Sequence, residues 1–319
     1  MKEKFKKQLL IDALTVVVGY VVLSLLMRFG VINDYVKGIL LMACINIILT
    51  VSLNITSGFL GELALGHAGF MAVGAYAAAL FSKSTSLIPA VEFPLAILIG
   101  GFAALIAGYI VSIPALRLKG DYLAIITLAA GEIIRNILKN LDIVGGTKGY
   151  TGIPGYTNFA WAYFVAAICI FASKSLIQSR HGRSIISIRE DEIAAEASGV
   201  DTNRYKIIGF IFSAFFAGVG GAIYAHYLRF LQPGIFTLNK SIEILVMVVL
   251  GGMGSIRGSI ISAVILTVLP EMLRGFSDYR MLVYSLALIF MMLAKHSETI
   301  RQLLGRFQPV AKRKETAHE

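Results

Sequence analysis

The sequence predicts an all-α fold, a polytopic membrane helical bundle of about 8–10 transmembrane helices that includes a broken or re-entrant helix pair. Apolar residues make up 57% of the 319 positions and charged residues only 15%, whereas a soluble domain carries about 25% charged residues. The mean hydropathy of +0.76 agrees with this class. Because most apolar runs approach the ~20 residues that a helix needs to cross the hydrocarbon, we expect one integral membrane domain over residues 1–319.

Apolar runs mark the predicted spans along the chain. The first run is longer than the apolar part of a secretory signal peptide, so we expect it to be retained as a span. The runs cover approximately residues 9–27, 36–57, 63–81, 94–113, 121–138, 159–177, 207–228, 241–252, 258–273 and 279–294.

Two of these runs are atypical. Residues 57–81 are rich in glycine and alanine, and residues 241–252 are short and stop at "GGMGSIRG". This glycine cluster supplies either backbone freedom at a break between two helices or a tight cytoplasmic turn. If residues 241–273 form a re-entrant hairpin, about eight full spans remain and both termini keep their side of the membrane.

Basic residues predict the orientation of the bundle. When the N-terminus is placed inside and the spans alternate, the inside holds 19 of the 29 Lys and Arg residues. The positive-inside rule therefore predicts cytoplasmic N- and C-termini and a cytoplasmic loop over residues 178–206. Two outside loops, residues 142–160 and 229–241, are rich in Gly, Pro and Thr, so we expect them to be structured.

The cytoplasmic loop carries the charged stretch "REDEIAAEASGVDTNRYK", residues 189–206. Ser187 and Glu190 form the S-x-x-E pattern of a capping box. Acidic residues then fill the first turn, where negative charge suits the helix dipole. Gly199 is a typical helix-ending residue, and together these signals predict a helix over residues 188–198.

A helical wheel divides this short helix into two sides. Apolar residues share one side and acidic residues the other, so we expect a helix parallel to the membrane with its acids facing the cytoplasm. The helix either merely connects two spans or docks a cytoplasmic partner through its small alanines and its acidic face. The apolar side consists of Ile193, Ala194 and Ala197, and the acidic side of Asp191, Glu192 and Glu196.

The stretch "EIAAEASGV" resembles the cytoplasmic coupling motif of ABC importer permeases, E-A-A-x-x-x-G. Ala194, Ala195 and Gly199 match that motif. Ile193 occupies the position of its glutamate, and Glu192 stands one residue earlier.

Most of the chain, from about residue 36 to 294, resembles the permease family of branched-chain amino acid ABC importers, in the half often designated M. The resemblance is carried by "GELALGHAGFMAVGAYAAAL", "LRLKGDYLAIITLAAGEIIRNIL", "GGTKGYTGIP", "HGRSIISIREDEIAAEASGVDTNRYK" and "VMVVLGGMGSIRGSIISAVILTVLPEML". It implies a multi-pass permease subunit in the cell membrane of a bacterium or archaeon, transporting branched-chain or related amino acids.

The resemblance also implies partners. These are a sister permease, two cytoplasmic ATP-binding subunits and an extracytoplasmic substrate-binding protein. ATP is used by the partner subunits, so no cofactor is expected in this chain. Coupling to the ATPase is expected at Ser187, Glu190, Glu192, Ala194, Ala195 and Gly199.

The segment "GELALGHAGF" supplies candidates for the translocation pathway or for helix packing. Small residues let helix backbones approach closely in lipid, and an unwound segment beside a pathway is the functional alternative. Gly66 and Gly69 lie three residues apart, so another helix of this chain or of the sister permease is expected to pack there. The candidates in this segment are Gly61, Glu62, Gly66, His67 and Gly69.

Two acidic residues complete the candidate set. Glu132 and Arg135 are spaced to form an ion pair on one helix. Glu243 either lines the pathway or lies at the membrane interface, and the sequence leaves both open.

Several catalytic signatures are missing from the sequence. It contains no P-loop, no H-E-x-x-H, no Cys/His cluster with metal spacing and no G-x-S-x-G. We therefore expect no catalytic residue, no metal site and no enzyme activity in this chain. The alternative function is a secondary transporter or channel for small polar solutes, but that class often shows internal repeats and several buried carboxylates. We find no convincing repeat and few such acids.

Overall fold

The computed structural model describes residues 2–30, 32–85, 88–116, 118, 120–273, 285 and 289, with side chains from residue 14 onward. The chain divides into two compact units, Met1–Thr267 and Val268–Glu319. The predicted span 279–294 lies almost entirely outside the described residues. The expectation of one domain over the whole chain therefore stays a prediction.

The described part of the chain is a bundle of α-helices, which confirms the predicted all-α class. Most predicted apolar runs coincide with helices to within a few residues. The helices are α1 Lys2–Arg28, α2 Asp34–Leu53, α3 His67–Ser84, α4 Pro89–Ala115, α5 Asp121–Asn140, α6 Phe159–Gln178, α7 Arg180–Glu190, α8 Glu192–Ala197, α9 Thr202–Leu228, α10 Leu238–Gly251 and α11 Ile256–Met272.

Four helical segments of the described residues are long and apolar enough to cross a membrane, namely Asp34–Phe59, Pro89–Ala115, Phe159–Gln178 and Thr202–Leu228. They are 20 to 27 residues long, and a helix needs ~20 residues to cross the hydrocarbon. The protein is therefore a polytopic membrane protein. The total of about 8–10 spans stays a prediction.

Helix α9 lies at the centre of the bundle, against α2, α3 and α4. Close approach depends on glycines, because a side chain at these positions would meet the backbone of the next helix. A Cβ at Gly74 of α3 would lie 2.2 Å from the Cα of Gly218 in α9, and one at Gly100 of α4 would lie 2.7 Å from the carbonyl oxygen of Gly74.

The helix that begins with α2 does not run directly into α3. It ends in a buried π-helical turn, Asn54–Phe59, and residues 60–66 are non-helical before α3 begins at His67. The predicted span 63–81 therefore starts too early. Gly61 has φ +83°, a left-handed conformation that breaks the helix there. Non-helical backbone at such a position is tolerated where protein surrounds it.

The two loops that were expected to be structured pair with each other, which confirms that prediction. Strand β1, Tyr150–Thr151, forms an antiparallel pair with strand β2, Phe230–Leu231. At the opposite end of α9, the short helices α7 and α8 lie against its first turns. Helices α10 and α11 have 14 and 17 residues, and the turn 252–255 joins them with Gly252 and Gly254 at positive φ.

Candidate coupling and translocation site

The predicted coupling helix is in fact two helices, which break at Asp191. Its side chain accepts hydrogen bonds from the backbone N–H groups of Ile193 (2.9 Å) and Ala194 (3.0 Å), so Asp191 is the N-cap of α8. The predicted capping box is wrong. Ser187 lies inside α7 and donates to the carbonyl of Ser184 at 2.9 Å, and Glu190 is the last residue of α7.

Helix α7 starts before the predicted helix and contains its first residues. Ser179 caps it by accepting from the N–H of Gly182, and the buried Ile185 and Ile188 hold its apolar side in the core. A cap residue needs extended backbone, which Ser187 lacks within this helix and Asp191 has, with φ −159°. The end of the short helix was predicted correctly, because Gly199 follows it with φ +84°.

The structure adds a buried residue, Ala195, that the predicted division of α8 assigned to neither side. Ala195 is 5% exposed and is the residue of α8 that packs into the protein, whereas Ile193 is 77% exposed. Ala194 and Ala197 are exposed as well. A wheel assigns residues to sides but does not tell which side meets α7 and α9. The cluster under Ala195 consists of Ile55, Phe59, Leu60, Ile185 and Ile188.

Glu192 does not face solvent with the other acids. Its carboxylate lies 3.0 Å from the ammonium group of Lys206, and the carboxylate of Glu62 lies 2.6 Å from the same nitrogen. The Lys206 side chain is 2% exposed. Lys206 was not among the predicted site residues, although a lysine beside an apolar run is a signal for such a site.

A hydrogen bond of Arg189 joins α7 to the π-helical turn. The Arg189 guanidinium donates from Nη1 to the carbonyl of Gly58 at 2.8 Å. Its aliphatic part lies against Gly61, where a Cβ would be 3.1 Å from Arg189 Cγ. The turn between α10 and α11 reaches the same place, because the N–H of Gly254 donates to Asn54 Oδ1 at 2.9 Å.

Residues 60–66 then lead to the interior of the bundle. The N–H of Leu65 donates to Thr127 Oγ1 of α5 at 3.0 Å. The N–H of Ala68, in the first turn of α3, donates to Ser241 Oγ of α10 at 3.1 Å. His67 is buried, with Nε2 3.1 Å from Ser52 Oγ of α2. His67 is thus a hydrogen-bonded interior residue.

Helix α5 packs on the glycine pair, and it is a helix of the same chain, one of the two partners that the sequence left open. A Cβ at Gly66 would lie 2.1 Å from the carbonyl oxygen of Thr127, and a Cβ at Gly69 would lie 2.7 Å from the Cα of Gly131.

A small cavity of about 10 Å³, roughly the space for one water molecule, lies between α3, α5 and α10. It is smaller than the ~300–1,000 Å³ of most ligand pockets. Glu132 lines it and pairs with Arg135, whose Nε donates to Oε2 at 2.9 Å. The lining residues are Leu65, Ala68, Gly69, Leu128, Gly131, Glu132, Phe236, Thr237, Leu238 and Ser241.

Glu243 is separate from this cavity lining. Its carboxylate lies 3.1 Å from Lys240 Nζ, one turn earlier on α10, and its side chain is 41% exposed. Among the described residues, no group of three or more His, Cys, Asp or Glu is placed to hold a metal ion.

A group of polar side chains lies at the other end of α9, near the paired loops. One is Glu92 of α4, which is 1% exposed. Another is His226, whose Nε2 lies 2.9 Å from Ser82 Oγ. Burial raises the pKa of Tyr156 in the loop, and the charge of Glu92 together with a hydrogen bond to it raises that pKa further. Glu92 was not predicted because the predicted span starts at residue 94, whereas α4 begins at Pro89 and includes Glu92.

The sequence model of a family described as "Branched-chain amino acid transport system / permease component" matches residues 35–294. The chain is 36% identical over 287 residues to the high-affinity branched-chain amino acid transport system permease protein LivM of Salmonella typhimurium, covering 79% of this chain and 67% of that protein. The LivM protein of Escherichia coli is also 36% identical, over 78% of this chain and 66% of its own length.

A relative with a different printed substrate is the nucleoside ABC transporter permease protein NupC of Lactococcus lactis, 27% identical over 52% of this chain and 59% of that protein. No solved structure matches this chain. The family match covers most of the chain, and its apolar helices are long enough to span a bilayer. The chain therefore belongs to the permease-component family of the branched-chain amino acid transport system, and it is a multi-pass permease subunit of an ABC transporter.

Proposed function

We propose that this chain is the M-type permease subunit of an importer that moves branched-chain or related amino acids across the cell membrane. The energy comes from ATP hydrolysed by partner subunits, and the chain itself holds no cofactor and no ATPase site. The observation that carries the proposal is the surface of α8. A short, capped helix presents a 77% exposed isoleucine, Ile193, at the end of the bundle where α7 and α8 lie.

The exposed side of α8 fits a partner protein. Ala195 packs in the buried cluster and attaches α8 to the bundle, while Ile193, Ala194 and Ala197 remain exposed. An exposed isoleucine between small side chains suits a partner's apolar groove, because the alanines let the groove close on the helix. Glu196 is also exposed and offers charge pairing at the rim of the contact.

The proposed assembly contains a sister permease, two cytoplasmic ATP-binding subunits and an extracytoplasmic substrate-binding protein. The ATP-binding subunits dock on α8. The binding protein docks at the opposite end, where β1 and β2 join the two loops into one structured surface. The permease subunit has no role in nucleic-acid binding, and its basic residues follow the positive-inside rule.

The orientation leads to a testable prediction. In a variant lacking Cys44 and Cys169, a single cysteine replacing Arg183 of α7 should resist an impermeant thiol reagent added to intact cells. A cysteine replacing Ile143, which is 76% exposed in the loop before β1, should be labelled from outside. The expected difference follows from the excess of Lys and Arg at the end that carries α7.

Accessibility after permeabilisation is the control for this experiment, since both cysteines should then react. Labelling of the Arg183→Cys protein in intact cells would place α7 and α8 outside and would remove the proposed docking site from the ATP-binding subunits.

Uptake by the reconstituted complex tests the proposed function. The panel contains labelled leucine, isoleucine, valine, other amino acids and a nucleoside, because one relative is a nucleoside permease. Uptake of the branched-chain amino acids that needs both ATP and the binding protein is the expected result. Equal uptake without ATP would instead indicate a secondary transporter or channel.

A further inference from the structure

We propose that three charged residues, Lys206, Glu62 and Glu192, transmit movement of α8 to the non-helical segment 60–66. We call them the Lys206 triad. This inference rests on the proposed function, since it assigns the internal link between ATPase docking and the interior of the bundle.

The triad joins three separate parts of the chain. Lys206 lies in the second turn of α9, Glu192 is the first residue of α8, and Glu62 lies in residues 60–66. Both carboxylates meet one ammonium group, at 2.6 Å and 3.0 Å. The exposed fractions of the side chains are 2% for Lys206, 12% for Glu62 and 27% for Glu192. Such burial makes each ion pair sensitive to loss of a partner.

The charge balance makes Lys206 the central residue. One cation faces two carboxylates, so removal of either glutamate leaves the lysine paired with the other. Removal of the lysine leaves two carboxylates near one buried position, where their charges repel. Loss of Lys206 is therefore expected to have a larger effect than loss of either glutamate.

Residues 60–66 connect the triad to the cavity between α3, α5 and α10. The N–H of Glu62 donates to the carbonyl of Thr56 in the π-helical turn at 3.0 Å. Three residues later, Leu65 is hydrogen-bonded to Thr127 of α5 and lines the cavity. A displacement of α8 that is carried to Glu62 thus reaches α5 within a few residues of chain.

The triad lies near a hydrogen bond that the Arg189 guanidinium of α7 donates to the carbonyl of Gly58 in the π-helical turn. The Arg189 contact holds the π-helical turn. Among the described residues, the triad is the ion-pair link from α8 to residues 60–66. We therefore expect the triad to set how much substrate moves for each ATP, and not whether the ATPase binds.

The experiment uses the full complex in proteoliposomes and measures uptake, ATP hydrolysis and retention of the ATPase subunits. Glu62→Gln and Glu192→Gln each break the link on one side of Lys206. Each is expected to lower uptake per ATP roughly 10-fold, with ATPase retention unchanged. Because the two contacts act in series, the double variant should be no worse than either single variant in uptake per ATP, although its unfolding midpoint should fall further, since neither carboxylate of the triad then faces the buried ammonium.

Lys206→Arg keeps a cation between the carboxylates and should retain most of the uptake per ATP, whereas Lys206→Met should lose it. Glu192→Gln should disturb folding least, since the Glu192 side chain is the most exposed of the three. The unfolding midpoint of this variant shows whether lost uptake reflects lost folding. An unchanged midpoint with lost uptake per ATP supports the link.

Two results would overturn the inference. Uptake and hydrolysis that fall in proportion, or glutamine substitutions whose effects on uptake per ATP multiply, would mean that the triad only fastens α8 to the bundle. A wild-type complex that shows no ATP-driven uptake would overturn the proposed function as well, so the two failures are distinguishable.

Discussion

Replacement of Gly74 by alanine is expected to destabilise the protein, although glycine to alanine in an ordinary helix stabilises by about 1 kcal/mol. The added Cβ would lie 2.2 Å from Gly218 Cα and 2.3 Å from the carbonyl oxygen of Gly218. Both are backbone atoms and cannot rotate away. Overpacking of this kind typically costs ~1–3 kcal/mol, and more where the backbone must shift.

The effect should be large because three helices meet at this point. A Cβ at Gly218 would lie 2.4 Å from the Cβ of Ala104 and 2.5 Å from the carbonyl oxygen of Gly100, so α3, α4 and α9 approach each other through glycines and small alanines. Moving α9 away from Gly74 would also open its contact with α4. We expect Gly74→Ala to lower the thermal unfolding midpoint by several degrees and to reduce the yield of monodisperse protein in detergent.

Gly209→Ala is the matched control, since Gly209 lies in α9 and a Cβ there meets two side-chain atoms at ordinary distances, Leu60 Cδ2 at 3.5 Å and Ile185 Cδ1 at 4.0 Å. This variant should be neutral or slightly more stable, as helix propensity predicts. Equal midpoints for Gly74→Ala and Gly209→Ala would contradict the close packing of α3 on α9.

These glycines show what could and could not be predicted from the sequence. Spacing indicates that a face is small and that some helix approaches it, as predicted for Gly66 and Gly69. It does not identify the partner, which depends on how distant helices pack. The long apolar runs were predicted well because length and apolarity alone decide whether a helix spans lipid.

The candidate site was predicted less completely. The end of α8 at Gly199 follows from a local signal, but its start does not, since the helix was predicted from residue 188 and begins at Glu192. The inward turn of Glu192 was not predicted either, because it depends on Lys206, which lies 14 residues later and pairs also with Glu62. Long-range ion pairs of this kind leave only a weak trace in a single sequence, namely charged residues next to apolar runs.

Replacement of Ile193 by aspartate is expected to separate the ATP-binding subunits from the permease. Ile193 is 77% exposed on α8, and an aspartate would place a charge in the partner's apolar groove without a partner of opposite sign. A central apolar contact in an interface contributes ~2 kcal/mol or more, which corresponds to a loss of affinity of roughly 30-fold or more. We expect little retention of the ATPase and loss of ATP-driven uptake.

Folding should be unaffected by this change, since a substitution at an exposed position usually alters stability by less than ~0.5 kcal/mol. Ala195→Leu should behave differently. Ala195 is 5% exposed and packs on Ile55, Phe59 and Ile188, so the larger side chain should lower the unfolding midpoint as well as uptake. The pair of variants therefore separates the docking surface of α8 from the side that holds it on the bundle.

Ile143→Asp is the matched control, because it makes the same substitution at a 76% exposed isoleucine at the other end of the molecule. It should retain the ATPase at the wild-type ratio. If Ile193→Asp also retained it, with normal ATP-driven uptake, the exposed side of α8 would not be the docking surface. The resemblance of "EIAAEASGV" to a coupling motif would then reflect only the way in which α8 is capped by Asp191 and ended by Gly199.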